Sequence, residues 1–171
     1  MTKSISVSAL ILFIAAIIEA TIFSNITWLP AVPDFCMICV LYFSLQNGKF
    51  HGELTGFISG LFIDFLSSGP FGLNMLVRTI MGFFSGMFNK TLNTDGFLIP
   101  AIIGFTATII KGILLYLISI LFPSAVLSYN PISWMFLFEL IMNTILTPLI
   151  FKFLSIFNRV LLVKQENYFN A

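Results

Sequence analysis

Six stretches of this chain contain almost nothing but apolar residues, and the pieces joining them are too short to fold separately. They cover approximately residues 5–23, 34–46, 53–66, 73–89, 97–122 and 132–157. Such a chain has nothing with which to coat a water-soluble surface. Soluble domains carry about 25% charged residues, whereas here the charged fraction is 9%, the hydrophobic fraction 58% and the mean hydropathy +1.04. The solvent this pattern calls for is lipid. Inside a bilayer each segment must satisfy its own backbone groups, so the stretches are expected to be helices. A β-barrel would instead need alternating strands of about ten residues. The expected fold is therefore an all-α integral membrane protein, a single domain over residues 1–171 built as a bundle of about six transmembrane helices. A net charge of +1 gives no reason to expect nucleic acid as a partner, and membrane lipid is the first partner implied.

The first stretch follows Lys3 and resembles a signal peptide, but it outruns the usual apolar region and no small-residue cleavage pattern follows, so it reads as an uncleaved span. The second to fourth stretches reach only about 20–25 Å at 1.5 Å per residue, against a hydrocarbon core of about 30 Å. Local thinning or flanking residues would make up the difference. A re-entrant hairpin of the second and third stretches is the competing reading, but it would bury Lys49, His51 and Glu53 in the membrane, which is costly. With six spans, Lys3, Lys49, Lys90, Lys152, Arg159 and Lys164 all fall on one side, and the loops of the other side hold no Lys or Arg. By the positive-inside rule both termini then face the cytoplasm. Local signals mark the joints: Asp34 after Pro33 reads as the cap of the second helix, Thr94 or Asp95 as the cap of the fifth, and Asn130 with Pro131 as the start of the sixth.

Two constellations stand out. Gly52, Gly56 and Gly60 recur every fourth residue, as do Gly82 and Gly86. That spacing puts small residues on one helix face, where backbones approach closely, either within the bundle or against a partner. Five ionisable residues, Glu19, Asp64, Arg78, Lys111 and Glu139, fall inside spans. All but Lys111 lie within about 10 Å of the outer boundary at 1.5 Å per residue, and Lys111 reaches toward them by snorkelling. They are expected to meet in one layer, with Asp64 pairing with Arg78 or Lys111, because buried charges in lipid need partners. Enzyme chemistry finds no support. The single histidine, His51, sits in the expected cytoplasmic loop, so no membrane triad is available. No H-E-x-x-H or phosphate-cradling loop occurs, and neither Asp34 nor Asp64 lies in an aspartyl-protease motif. Cys36 and Cys39 lack the further ligands of a zinc site and read as small buried hydrophobes. No cofactor is implied.

One segment carries a family resemblance. The run Gly52-Glu53-Leu54-Thr55-Gly56-Phe57-Ile58-Ser59-Gly60-Leu61-Phe62-Ile63-Asp64, followed by Phe65-Leu66-Ser67-Ser68-Gly69-Pro70-Phe71-Gly72-Leu73-Asn74, resembles the core of the bacterial rod shape-determining protein MreD family. That family shows a G-x-x-x-G-F-x-x-G-L-x-x-D stretch, a short turn ending in a Pro-x-Gly-like element, and then a span with spaced glycines. Size, span number and the Pro-Asp opening of the second span also match; Arg78 and Lys111 are not carried by the resemblance. It implies a non-enzymatic subunit of the cell-elongation machinery for peptidoglycan synthesis, in the bacterial cytoplasmic (inner) membrane. The implied partners are an MreC-like protein and, through it, MreB, RodA and a class B penicillin-binding protein. It also implies a fold similar to the S components of energy-coupling-factor (ECF) transporters. The alternative function is accordingly a vitamin-binding S component of such a transporter, although the short outer loop around Ser67–Gly72 leaves little roof for a ligand cavity.

Overall fold

The computed structural model describes residues 2–23, 26, 30–67, 69–92, 94, 96–123 and 132–162. Every regular element among them is helical. Helix α1 (Thr2–Ile17) widens into a π-helical turn (Ile18–Phe23), and α2 (Phe35–Asn47), α3 (Lys49–Leu66), α4 (Leu73–Met87), α5 (Leu98–Leu121), α6 (Trp134–Ser155) and a short α7 (Asn158–Leu161) follow. Three helical stretches are long and apolar enough to cross a membrane, Lys3–Thr21, Leu98–Leu121 and Trp134–Ser155; Phe35–Asn47 is apolar but shorter.

Helix α2 is the axis of the packing. Every residue from Cys36 to Leu45 is buried, as suits a helix that is apolar all round. Leu12 of α1, Val77 and Met81 of α4, Ala107 of α5, and Phe151 and Leu154 of α6 pack with it in one core. Tyr42 meets Phe151 edge to face at 5.1 Å. The outer faces of α5 and α6 carry exposed Ile102, Ile113, Leu117, Ile141, Ile145 and Leu149, a surface suited to lipid.

Successive helices alternate in direction. Gly48 alone joins α2 to α3, and its φ of 92° is one that a side chain resists. At this end Ser4 donates to the Leu161 carbonyl, Asn47 to the same carbonyl at 3.1 Å, and Gln46 to Thr94 at 3.1 Å. Lys49, Lys90, Lys152 and Arg159 therefore gather at the end where α1 begins. His51 lies in the first turn of α3, buried and 3.3 Å from Ser8 Oγ. The loop expected for it is missing because α3 starts at Lys49, ahead of the purely apolar stretch.

The caps differ in part from expectation. Asp34 does cap α2, accepting from Met37 N at 2.8 Å. Helix α5 has Phe97 at its cap with no side-chain bond; Thr94 is engaged by Gln46 instead, and Asp95 lies outside the described residues. Helix α6 is capped by Ser133, whose hydroxyl accepts from Phe136 N at 3.2 Å; Asn130, Pro131 and Lys164 lie outside the described residues. Pro148 sits inside α6. It has no N–H to offer, and in the preceding turn the hydroxyls of Thr144 and Thr147 donate to carbonyls at 2.6 Å each.

Candidate functional site

The ionisable residues converge at the start of α2. Asp34 closes that helix with one carboxylate oxygen while the same carboxylate takes both bases: Arg78 Nη2 lies 2.8 Å from Oδ1 and Lys111 Nζ 2.6 Å from Oδ2. Lys111 also reaches Glu139 Oε1 at 2.6 Å, and Arg78 reaches Glu19 Oε1 at 3.5 Å. The π turn presents Glu19 to the α2 N-terminus, where its other oxygen accepts from Cys36 N at 3.1 Å. Wide turns of this kind let a helix redirect one side chain without ending. One carboxylate thus ties α2 to α4 and α5, and the flanking acids bring in α1 and α6.

A neutral extension runs from the same residue. Asp34 N donates to Asn143 Oδ1 at 3.0 Å, Asn143 Nδ2 donates to Thr108 Oγ1 at 3.2 Å, and Thr108 donates to Gly104 O at 2.8 Å. Asn143 and Thr108 are fully buried. Such groups belong in a low-dielectric interior only when their hydrogen bonds are made. Arg78 Nη1 is a buried exception, with no hydrogen bond among the described residues.

Asp64 stands apart from this network, contrary to the pairing expected with Arg78 or Lys111. Its carboxylate accepts from Gly72 N at 2.9 Å, from Asn74 N at 3.1 Å, from Asn74 Nδ2 at 2.9 Å and from Met75 N at 3.2 Å. It caps α4 from the end of α3. The orphan N–H groups of a helix start, with the dipole behind them, suit a carboxylate as a cation would. Gly72, at φ 95°, makes the turn that aims them. Arg78, one turn further along α4, faces the α2 start instead. Asp34 was legible as a cap but not as the hub, since nothing local reports which cations reach its carboxylate.

The glycines form the second feature. A Cβ added at Gly52 would collide with the Gly82 carbonyl, at Gly56 with the Arg78 carbonyl, and at Gly60 with the Met75 backbone. Gly82 meets Gly52 reciprocally, and a Cβ at Gly86 would lie 2.6 Å from Lys49 Cα. All five therefore face the α3–α4 contact within this chain. Gly104, against Thr147 and Asn143, and Gly112, against the Phe136 ring, make the same kind of approach between α5 and α6. The lone glycines of α5 gave no repeat by which to find them.

Chemically the cluster is a fastener. It offers carboxylates and cations already engaged with one another, and no group of His, Cys, Asp and Glu suited to a metal ion occurs among the described residues. Cys36 and Cys39 are buried free thiols. The profile of one family, rod shape-determining protein MreD, matches residues 1–157. The chain belongs to the MreD family. It is a rod shape-determining membrane protein. Neither a curated protein nor a solved structure matches the chain significantly. The stretch that resembled the MreD core, 52–74, is the glycine-packed hairpin with Asp64 at its turn. In this member of the MreD family the hairpin and the charge cluster meet on α4, whose Arg78 contributes its carbonyl to one and its guanidinium to the other.

Proposed function

We propose that the protein is a non-enzymatic subunit of the bacterial cell-elongation complex, a six-span bundle in the cytoplasmic membrane that acts by holding an MreC-like protein. Through that partner it connects with MreB, RodA and a class B penicillin-binding protein during peptidoglycan synthesis. The family match over residues 1–157 carries the reading. Two features support a binding rather than a catalytic role: the carboxylates and cations of the Asp34 cluster are paired with one another, and α3 and α4 are locked backbone to backbone. A subunit of that construction presents a fixed surface to partners. The alternation of six helices and the gathering of basic residues at one end support six passes with that end in the cytoplasm. The bundle size also fits a fold like that of ECF-transporter S components; the family match favours the cell-shape role over the S-component one.

The test is replacement in a rod-shaped bacterium that lacks its own family member and carries this chain together with its cognate MreC-like protein. The expected result is rod-shaped cells and recovery of the MreC-like protein with the tagged chain from detergent extracts. Round cells with no co-purified partner, at normal protein level, would refute the reading.

A further inference from the structure

At the end of the bundle where α2 and α6 finish and α5 begins lies a cavity of about 370 Å³, lined by Tyr42, Gln46, Thr94, Phe97, Phe151 and Lys152 among others. Its volume is within the range of small-ligand sites, about 300–1,000 Å³. Its lining is two-sided. Phe97, Phe151, Tyr42 and Pro148 make an apolar wall, and Phe97 continues onto the outer surface with 65% exposure. The polar wall carries the cation and a hydroxyl donor. Lys152 forms no ion pair among the described residues and brings three N–H groups. Thr94 Oγ1 accepts from Gln46 Nε2 at 3.1 Å, so its own proton is left to point elsewhere. Lys49, Lys90 and Arg159 lie at the same end and add a positive field.

We propose that this cavity holds the phosphate headgroup of an anionic phospholipid, with Lys152 and Thr94 on the phosphate and the acyl chains leaving over Phe97 onto the apolar flank. A phosphate diester supplies the negative charge that this wall lacks. A lipid, unlike a free phosphate ester, also uses the apolar wall and the exposed ring. Basic pockets between helix ends at the membrane interface take anionic headgroups for this reason. The site is separate from the Asp34 cluster and does not depend on the elongation reading.

Native mass spectrometry of the purified, delipidated protein, titrated with phosphatidylglycerol, phosphatidylcholine and glycerol 3-phosphate, tests it. One phosphatidylglycerol should bind in preference to phosphatidylcholine. Lys152→Gln should weaken it about fivefold, the worth of one lysine near an anionic surface, whereas Lys49→Gln should leave it within twofold. Gly96 lines the cavity, and a Cβ there meets nothing within 4 Å, so Gly96→Leu fills space without disturbing the fold and should abolish binding. Equal affinity for the two lipids, or equal loss in the Lys49 and Lys152 variants, overturns the proposal. Competition by glycerol 3-phosphate at matching concentration overturns the lipid assignment in favour of a soluble phosphate ester.

Discussion

Two aspartates with similar surroundings in sequence do different work. Asp34 is 3% exposed in its side chain and holds two cations; Asp64 holds backbone amides and the Asn74 side chain. Removing Asp34 leaves Arg78 and Lys111 buried without their shared carboxylate, and breaking a buried pair from one side costs about 3–5 kcal/mol. Asp34→Ala should lower stability by that amount in denaturant unfolding of the detergent-solubilised protein. Glu139→Gln, which leaves Lys111 its bond to Asp34, should cost less, about 1.5–3 kcal/mol, the range for one charge-assisted hydrogen bond. For Asp64→Ala the expected loss is that of a helix cap, about 0.5–2 kcal/mol. Because Asp64 makes no ion pair with Arg78, the Asp64→Ala and Arg78→Met losses should add to within about 0.5 kcal/mol. A larger coupling between them would show that the two side chains do interact.

At the level of helices, the α3–α4 pair depends on having nothing but hydrogen at its contact positions. Backbone atoms, unlike a flexible side chain, cannot rotate away from an added methyl. Gly52→Ala should therefore cost about 1–3 kcal/mol, as overpacking does, and Gly60→Leu, which must separate α3 from the Met75 backbone, should cost more. Phe57 lies on the opposite face of α3, 44% exposed, and Phe57→Leu should stay within about 0.5 kcal/mol. Thermal melting of the three variants in one detergent ranks them, and a Phe57 effect as large as that at Gly60 would remove the glycine face as the cause. The glycine spacing was legible from the repeat alone. That the two stripes face each other, and not a partner, follows from the short turn at Gly72 and the Asp64 cap, which together fold α4 back along α3.

For the molecule as a whole, the proposed orientation gives a labelling prediction. Cys36 and Cys39 are buried, so an impermeant maleimide should report only on introduced thiols. Phe71→Cys, at an exposed turn position, should label in intact spheroplasts. Lys90→Cys, exposed at the basic end, should label only after permeabilisation. The reverse pattern would invert the orientation, and labelling of both from outside would remove the six-pass arrangement. A damaged core such as Asp34→Ala should give rounded cells together with reduced protein level.

Much was determined by the amino-acid order alone: helical elements, a lipid solvent, the boundaries near Asp34, Leu73 and Leu98, and the family. The family came from the resemblance of the 52–74 run; the others follow from local composition or periodicity, which acts over one or two turns and needs no knowledge of neighbours. Two start signals were misread for the same reason: Thr94, expected to cap α5, is taken by Gln46, and α6 is capped by Ser133 where Asn130 was expected, choices that only the path of the chain makes. The partners of the buried charges could not be read from order. Glu19, Asp34, Arg78, Lys111 and Glu139 span more than a hundred residues of chain, and a carboxylate in a low-dielectric interior takes whatever cation the packing delivers. The π turn at Glu19, the buried middle of α2, the antiparallel return of α4 and the path of α5 brought Arg78 and Lys111 to Asp34, and left Asp64 to the amides of the helix beside it.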